Sequence, residues 1–543
     1  MKRKRLVTVL IMTAVVLAGC GTEKTVSNTE TSEDTETSEN TKTEKAENTS
    51  VSAGKSGLDV TTMFTERDKE MGYEADGSAA IQLLDGASSC DSDAVQIDGN
   101  TITITDEGTY LLSGKLTDGM VIVNAEKTDK VQLVLNGAEI TNADSAAIYV
   151  LCADKVFVTT ASDSENCLVN GGTYTALDEN QIDAVIFSKE DLTLNGTGTL
   201  QIQAGAGHGI VSKDDLVLTG GTYEITAEKQ GISGKNSVRI ADGTYTITAG
   251  TDGVHASNTD DTSLGYVYIE GGTFDIVAED DGIHADLAAV IAGGIIEIEK
   301  SYEGIEGLSI DITGGEISLT SSDDGLNAAG GTDSSGMEIM GPGEDIFASE
   351  EGAYINISGG KLKVNASGDG IDSNGELIVS GGETYVSGPT NDGNGALDYA
   401  GNAEISGGIF VAAGTSGMAQ NFGEDSTQGV MLVNVDAQET GAPIILTAGD
   451  GSELISYTPE KEYNSVIISC PEITTGETYT LTAGNSTQEI TMDRLIYGTG
   501  GMGGGRPGQD RGMQPGGQPG QNRGQDEGMS PDRQPVQQPG KNL

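Results

Sequence analysis

Residues 220–249 read GGTYEITAEKQGISGKNSVRIADGTYTITA, and this stretch decides the fold. A Gly-Gly pair at 220–221 is followed by alternating apolar residues, and the pattern restarts at Asp242 and Gly243, 22 residues after the first pair. Alternation with a period of two is typical of β-strands and not of helices. A repeat of this length is too short for a propeller blade or a helical repeat, so it predicts one coil of a parallel β-helix.

Two glycine marks carry the repeat through the middle of the chain. The second glycine of each pair is Gly221, Gly243, Gly272, Gly294, Gly315, Gly360, Gly382 and Gly408. A glycine followed by an apolar residue recurs in phase at Gly209, Gly231, Gly253, Gly282, Gly304, Gly325 and Gly370. A short insertion precedes Gly272, and the long step from Gly315 to Gly360 is either two coils or one coil with a large insertion. We expect the glycines to serve bends that need positive φ.

The alternation also predicts which side chains point inward. Aromatic residues recur at the same place in several coils, at Tyr223, Tyr245, Phe274 and Phe410. Stacked coils would place them in one internal column, although a sugar-stacking platform is the alternative interpretation.

Acidic residues flank the second glycine mark and are predicted to face solvent in columns. Neighbouring coils lie about 4.8 Å apart, where adjacent carboxylates repel by roughly 3 kcal/mol per pair at an effective dielectric near 20. Calcium takes six to eight oxygen ligands and would neutralise such a row. The bland alternative is that Asp-Gly is simply a good turn dipeptide. The predicted Ca²⁺ ligands are Asp252, Asp280, Asp281, Glu303, Glu306, Asp323, Asp324, Asp369, Asp372, Asp392 and Asp398.

Four further residues are predicted to bind a ligand, namely His255, His284, Asn327 and Tyr268. The two histidines occupy the same place in successive coils. They are expected to hydrogen-bond to a turn or a ligand, and ligation of a transition metal is the alternative.

Composition excludes several classes of protein. The chain has 543 residues, of which 79 are Gly and none is Trp, and its formal net charge is −55. Such a charge repels phosphate, so nucleic acid is not an expected partner. The glycine content argues against a helical protein, and the 4% of aromatic residues argues against one large globular core.

The two ends of the chain differ from the middle. Residues 1–19 have a basic start and an apolar run, and they end at Cys20 in a lipobox-like sequence, which predicts a lipoprotein signal peptide and lipid attachment to Cys20. The protein is therefore expected outside the cytoplasm, anchored to the membrane by lipid. A disordered tether is predicted at 20–57, a β-helix at 58–428, a β-rich C-terminal cap at 429–496 and a disordered Gly/Gln/Pro-rich tail at 497–543.

Several runs of the sequence are similar to a bacterial carbohydrate-binding-domain family. They include Gly209 to Leu216, Ser233 to Gly243, Asp281 to Ala285 and Asn394 to Tyr399. The resemblance spans about Leu58 to Met492 and implies an all-β, right-handed parallel β-helix that binds calcium. It also implies a fold similar to pectate lyases and binding of cellulose or acidic polysaccharides such as polygalacturonate.

Binding is expected rather than catalysis, with Ca²⁺ bridging the protein to a polysaccharide. A calcium-dependent lyase needs a basic side chain to remove a proton. Between 60 and 492 the arginines are Arg67 and Arg239, while Lys361 and Lys363 keep a lysine base open. A structural adhesin or spacer with stabilising Ca²⁺ and a calcium-dependent polysaccharide lyase remain the alternative functions.

Overall fold

The computed structural model describes residues 54–329 and 349–498. These residues form β-strands apart from loops and one short 3₁₀ turn, Val60–Thr62. The predicted signal peptide, Cys20, most of the tether and nearly all of the tail lie outside the described residues. Within the described ranges, no helix has the length and apolar character needed to cross a bilayer.

Three parallel ladders, here named A, B and C, build a β-solenoid. Ladder A comprises Thr101–Ile104, Met120–Asn124, Ile148–Cys152, Ala184–Ser188, His208–Ser212, Ile232–Gly234, Val254–Ala256, the first parts of Ile283–Ile291 and Ile305–Ile312, Leu326–Ala328, Ile371–Ser373 and Asp398–Tyr399. Ladder B comprises the first parts of Gly108–Leu116 and Lys130–Asn142, then Lys155–Thr160, Asp191–Gly196, Asp215–Leu218, Ser237–Ile240, Tyr266–Ile269, the second parts of Ile283–Ile291 and Ile305–Ile312, Tyr354–Ile357, Glu376–Val379 and Ala403–Ile405.

Ladder C runs beside the other two and carries the aromatic positions. It comprises the second parts of Gly108–Leu116 and Lys130–Asn142, then Glu165–Asn170, Thr199–Ala204, Thr222–Ala227, Thr244–Ala249, Thr273–Ala278, Ile295–Ser301, Glu316–Ser321, Lys361–Ala366, Glu383–Ser387 and Ile409–Gly414. At the N-terminal end, Ala79–Leu84 pairs parallel with Gly108–Leu116, and Val95–Asp98 pairs antiparallel with Thr101–Ile104.

The strand register explains the irregular steps of the glycine marks. The insertion before Gly272 forms the loop 257–265 between ladders A and B. Asn327 pairs directly with Asp372 in ladder A, and the equivalent neighbours also pair in ladder C. The long step between Gly315 and Gly360 is therefore one coil with a large insertion.

The interior of the solenoid is a stack of apolar side chains. Tyr223 and Tyr245 stack with ring centroids 5.3 Å apart, and Tyr245 and Phe274 stack at 4.7 Å. All three rings are buried, so they are core and not a sugar platform. Phe410 is also buried, but it meets Phe422 edge-on instead of joining the stack, since its coil lies farther along ladder C.

The two glycine marks have different physical causes. The pair glycines adopt positive φ, for example 106° at Gly221 and 133° at Gly243, as predicted for bends. At the second mark, space is the constraint, because a Cβ on Gly253 would lie 2.7 Å from the carbonyl oxygen of Gly282 in the next coil. The expectation that all these glycines serve positive φ is therefore wrong for the second mark.

The parallel ladder ends where Ile409–Gly414 pairs antiparallel with Tyr463–Ser469. The region predicted as a cap contains a separate antiparallel four-stranded sheet with its own apolar cluster. Its strands and those that join it to the solenoid are Val430–Gln438, Ile444–Ala448, Glu453–Tyr457, Tyr463–Ser469, Thr478–Ala483, Ser486–Thr491 and Ile496–Tyr497.

Residues 54–72, here named the strap, run along the outer face of ladder B. At one end, the backbone N–H groups of Lys55 and Ser56 donate to the two carboxylate oxygens of Asp311, each at 2.8 Å. Farther along, the buried Asp68 carboxylate contacts Lys155 Nζ at 2.7 Å. The strap therefore includes residues 54–57, which were assigned to the disordered tether.

Candidate functional site

Two adjacent rows of side chains along ladder A, here together named the acidic column, form the candidate site. In the first row, strand pairing brings each residue beside its equivalent in the next coil. This row is Ser233, His255, His284, Glu306, Asn327, Asp372 and Asp398. Each residue of the second row directly precedes a glycine of the second mark. This row is Asp252, Asp281, Glu303, Asp324 and Asp369.

The acidic column is more enclosed than predicted. Asp252, Asp281, Glu303 and Glu306 are only 2–5% exposed, so the prediction that they face solvent is wrong. The loop 257–265 and residues Leu308 and Glu350 wall a cleft of about 600 Å³ over this part of the column. Carboxylates enclosed in this way lose hydration and depend on partners inside the cleft.

The upstream cluster combines carboxylates with two imidazoles. Its members are Asp252, His255, Asp280, Asp281, His284, Asp286, Glu303 and Glu306. His284 Nδ1 lies 3.0 Å from Asp281 Oδ2 and 2.5 Å from Glu306 Oε2. His255 Nδ1 lies 2.7 Å from Asp252 Oδ2, and the two imidazole rings stack at 4.8 Å.

The imidazoles and carboxylates of the upstream cluster set each other's pKa values. Burial alone would lower the pKa of His284, but its contacts with Asp281, Asp286 and Glu306 raise that pKa to about 12. Burial, with the nearby Glu306, raises the pKa of Asp281 to about 8. Burial opposes ionisation of Asp252 too, yet the contact with His255 leaves the pKa of Asp252 lowered. The His284 imidazole thus acts as a partial counter-ion for this end of the column.

The downstream cluster contains carboxylates without imidazoles, and its members are Asp323, Asp324, Asp369, Asp372 and Asp398. One oxygen each from Asp324, Asp369 and Asp372 lies within 4.8 Å of the others. Backbone donors supply part of their hydrogen bonding, such as the Asp369 N–H to Asp324 Oδ1 at 2.6 Å. Among the described residues, no Lys, Arg or His forms an ion pair with these three aspartates.

The aspartates of the downstream cluster have raised pKa values, because no counter-ion offsets their burial. Burial and then the neighbouring Asp369 raise the pKa of Asp324 to about 8. Burial raises the pKa of Asp369 to about 7, aided by Asp398 and partly offset by the N–H of Gly395. Burial and Asp324 raise the pKa of Asp372 well above its ordinary value. A divalent cation would relieve all three groups at once.

The remaining predicted residues lie outside these two clusters or at their junction. Asn327 lies between them and donates from Nδ2 to Glu303 Oε1 at 2.8 Å. Asp392 is exposed on a loop, where it accepts a hydrogen bond from Thr415. Tyr268 lies on ladder B and is only 4% exposed, because the strap residues Met63 and Phe64 cover it. The prediction that Tyr268 offers an exposed binding surface is therefore wrong.

The sequence reading also missed a member of the site. Asp286 contacts His284 Nε2 at 3.3 Å and accepts hydrogen bonds from the Ser257 hydroxyl and the Asn258 N–H. Sequence alone does not indicate this role for Asp286, because the loop that holds it is an insertion without a counterpart in other coils. The insertion itself was the available signal.

The arginines considered as bases are engaged elsewhere. Arg239 donates to the Met63 carbonyl oxygen at 3.0 Å and to Asp215 at 2.7 Å, beneath the strap. Arg67 contacts Glu70 and lies over the Phe157 ring, also on ladder B. Neither guanidinium therefore belongs to the acidic column.

The described residues form a β-solenoid with a column of acidic side chains. Some of these side chains lie close enough together to hold a cation. Residues 98–341 match the model of a family described as "Carbohydrate-binding domain-containing protein". A curated "Carbohydrate-binding domain-containing protein" of Acetivibrio thermocellus is 35% identical over 137 residues, which are 25% of this chain and 48% of the relative. The chain therefore spans about half the length of that relative. Part of this chain is therefore similar to carbohydrate-binding-domain proteins.

A solved structure is also similar to part of the chain. Its title describes a polysaccharide lyase-like protein from C. thermocellum in a gadolinium derivative. The identity is 32%, the coverage is 47% of this chain and 98% of that chain, and the TM-score is 0.39.

Proposed function

We propose that this protein binds an acidic polysaccharide through Ca²⁺ held by the acidic column. The observation that carries the proposal is the convergence of Asp324, Asp369 and Asp372 within 4.8 Å, with no cationic partner among the described residues. The matches to carbohydrate-binding proteins support the polysaccharide as the partner.

Calcium suits the downstream cluster because every side-chain donor there is a carboxylate oxygen. Ca²⁺ accepts six to eight oxygen ligands in irregular geometry, including carboxylates, backbone carbonyls and water. Three carboxylates separated by less than 4.8 Å repel one another by roughly 3 kcal/mol per pair at an effective dielectric near 20. One bound Ca²⁺ would attract all three carboxylates and so offset their mutual repulsion. Ca²⁺ ligation by the upstream acids and by Asp392 stays a prediction.

A partly coordinated Ca²⁺ explains how so acidic a protein binds an acidic polymer. The net charge of −55 repels polyuronates at a distance. Three aspartates leave coordination positions for other oxygens, and a uronate carboxylate offers the hard oxygen ligands that Ca²⁺ prefers. The ion would thus bridge the protein carboxylates and the glycan carboxylates.

The aromatic residues favour an acidic glycan over cellulose. Binding of a neutral glucan needs a row of exposed aromatic rings for sugar stacking. Tyr268 is covered by the strap, and Tyr266 packs beside it against the same segment. Tyr385 is half-buried and meets Tyr457 of the cap region at 5.2 Å. Tyr266, Tyr268 and Tyr385 therefore do not form an exposed row of rings.

The proposed cellular location rests on the sequence of the N-terminus alone. Lipid attached to Cys20 and the polar segment after it would hold the solenoid outside the cytoplasmic membrane. In that position the acidic column would meet extracellular polysaccharide.

Affinity electrophoresis and pull-down with defined polymers test this function. The full chain is presented with polygalacturonate, with its methyl-esterified form and with cellulose, in Ca²⁺ or in EGTA. We expect retention by polygalacturonate in Ca²⁺ only, because esterification removes the carboxylates that the ion would bridge.

Each other outcome has a distinct meaning. Ca²⁺ binding without retention by any polymer contradicts the proposal and favours a calcium-stiffened structural rod. Equal retention by the esterified polymer contradicts bridging through uronate carboxylates. Release of unsaturated product that absorbs in the ultraviolet would reveal a lyase.

A further inference from the structure

We propose that Asp281, His284 and Glu306 form a separate site for a late first-row transition metal such as Zn²⁺ or Co²⁺. This site goes beyond calcium-dependent glycan binding, since its donor set includes an imidazole nitrogen and it lies in the upstream cluster. Three kinds of observation support it: the convergence of donors, the orientation of the imidazole and the unpartnered oxygens beside it.

The donor atoms converge from two consecutive coils. Asp281, His284 and Glu306 each place one donor within 4.8 Å of the other two. His284 Nδ1 is 3.0 Å from Asp281 Oδ2 and 2.5 Å from Glu306 Oε2. Zn–N and Zn–O bonds of about 2.0–2.2 Å place tetrahedral ligands roughly 3.4 Å apart. An outward shift of less than about 1 Å would therefore admit an ion among them.

A second carboxylate orients the imidazole for this role. Asp286 Oδ1 lies 3.3 Å from His284 Nε2, on the opposite side of the ring from Asp281 and Glu306. Asp286 is itself held by the Ser257 hydroxyl at 2.9 Å and the Asn258 N–H at 2.8 Å. A carboxylate on the distal nitrogen fixes the tautomer whose other nitrogen binds a metal.

Buried oxygens beside the triad lack hydrogen-bond partners. Glu306 Oε1 and Glu303 Oε2 have none among the described residues, although each residue is only 2% exposed. Glu306 belongs to the triad, and its unpartnered oxygen gives it a second ligand atom. An unpartnered buried carboxylate oxygen is costly, and both oxygens are available to coordinate a cation.

The chemistry of the donors selects the class of metal. Imidazole suits Zn²⁺, Cu²⁺, Ni²⁺ and Co²⁺, whereas Ca²⁺ takes oxygen ligands. The downstream cluster has only oxygens, so the two ends of the column should prefer different ions.

Cobalt binding to the chelator-stripped full chain in a large excess of Ca²⁺ tests the proposal. We expect one Co²⁺ ion that Ca²⁺ does not displace and that Zn²⁺ does displace. Its visible spectrum should show nitrogen and oxygen ligation without sulfur-to-cobalt charge transfer, which separates this site from the free cysteines.

Three variants localise the ion. His284→Gln should weaken Co²⁺ binding by on the order of 100-fold or more, and Asp286→Asn by roughly 10- to 100-fold, as for other residues behind a metal ligand. His208→Gln is the matched control, because His208 contacts Asp183 outside the cluster. Its Co²⁺ affinity should stay unchanged, and none of the three variants should alter Ca²⁺ binding at the downstream cluster.

Three results would overturn the proposal. They are failure to bind Co²⁺, complete displacement of Co²⁺ by Ca²⁺, and unchanged affinity in His284→Gln. If His284→Gln does not fold, unchanged Co²⁺ affinity in Asp286→Asn overturns the proposal instead. In each case His284 would serve as a counter-ion only.

Discussion

The upstream and downstream clusters occupy equivalent positions on ladder A, yet only the upstream cluster contains imidazole side chains. His255 contacts Asp252 at 2.7 Å, and His284 contacts Glu306 at 2.5 Å. Asp324, Asp369 and Asp372 each place one oxygen within 4.8 Å of the others, without an imidazole among them. The fold thus supplies the spacing, and the identity of one side chain per coil decides which counter-ion is needed.

This difference has an energetic consequence. A carboxylate that burial deprives of water must be protonated, paired with a cation or bound to a metal. The upstream cluster meets part of this requirement within the chain. The downstream cluster leaves it to protons or to an added ion, so its properties should depend strongly on Ca²⁺ and pH.

The largest effect is expected from removing a downstream carboxylate. Asp372→Asn should weaken Ca²⁺ binding by on the order of 100-fold, because Ca²⁺ affinity follows the number of charged ligands. Calorimetric titration of the variant measures this loss. Asp275→Asn is the matched control, since Asp275 is an exposed aspartate of ladder C and lies outside the acidic column. Equal losses in both variants would contradict the assignment of the cluster.

A smaller effect is expected from crowding the same carboxylates. A methyl group on Gly368 would collide with the carboxylate oxygens of Asp323 and Asp324. Gly368→Ala should therefore weaken Ca²⁺ binding by about tenfold, or about 1.4 kcal/mol. Gly72→Ala, whose added methyl meets nothing within 4 Å, should leave calcium affinity unchanged. Unchanged affinity in Gly368→Ala would place the ion elsewhere.

The metal-free protein should lose stability as pH rises from about 4 to about 8. The pKa of Asp324 is raised to about 8 and that of Asp369 to about 7, from an ordinary 3.8. The folded state therefore binds more protons than the unfolded state within this window, and its free energy of unfolding falls with pH. Urea unfolding in EGTA measures the slope, and saturating Ca²⁺ should remove much of it.

The buried ion pair of the strap gives the opposite dependence in another window. Burial opposes ionisation of Asp68, but Lys155 and Thr193 lower its pKa to about 2. Its contribution to stability is present above about pH 4 and is lost toward pH 2.

Rising stability of the metal-free protein between pH 4 and 8 would contradict the account of the acidic column.

An effect on stability, and not on calcium affinity, is expected at the junction of the two clusters. Asn327→Asp removes the hydrogen bond to Glu303 and adds a carboxylate, which should cost about 1–2 kcal/mol in EGTA. Ca²⁺ should restore part of this loss. Asn356→Asp is the control, because Asn356 donates to Asp311 at 2.6 Å in ladder B, away from the column. Equal responses of the two variants to Ca²⁺ would contradict a special role for Asn327.

Much of the fold was predictable because it follows from the repeating pattern of the sequence. Parallel ladders follow from the alternation, and the pair glycines have the positive φ that their place in the repeat indicated. The alignment of residues along ladder A was predictable, because the second glycine mark recurs at the same place in successive coils. The internal stack of Tyr223, Tyr245 and Phe274 was equally readable.

The remaining features come from segments outside the repeat. The loop 257–265 walls the cleft, and its contacts with Asp286 join residues that no periodicity connects. The strap buries Tyr268 and engages Arg239 through contacts far apart in sequence. The burial of the acidic residues therefore depends on contacts between residues far apart in sequence. The repeat pattern of the individual coils does not predict such contacts.

Calorimetric titration of Ca²⁺ into the chelator-stripped full chain, followed by polygalacturonate, tests the central claim most directly. We predict saturable Ca²⁺ binding that Asp372→Asn weakens, and then polymer binding that EGTA abolishes. Polymer binding that persists in EGTA, or the absence of any Ca²⁺ binding, would contradict calcium-bridged recognition and leave the acidic column as a row of turn residues.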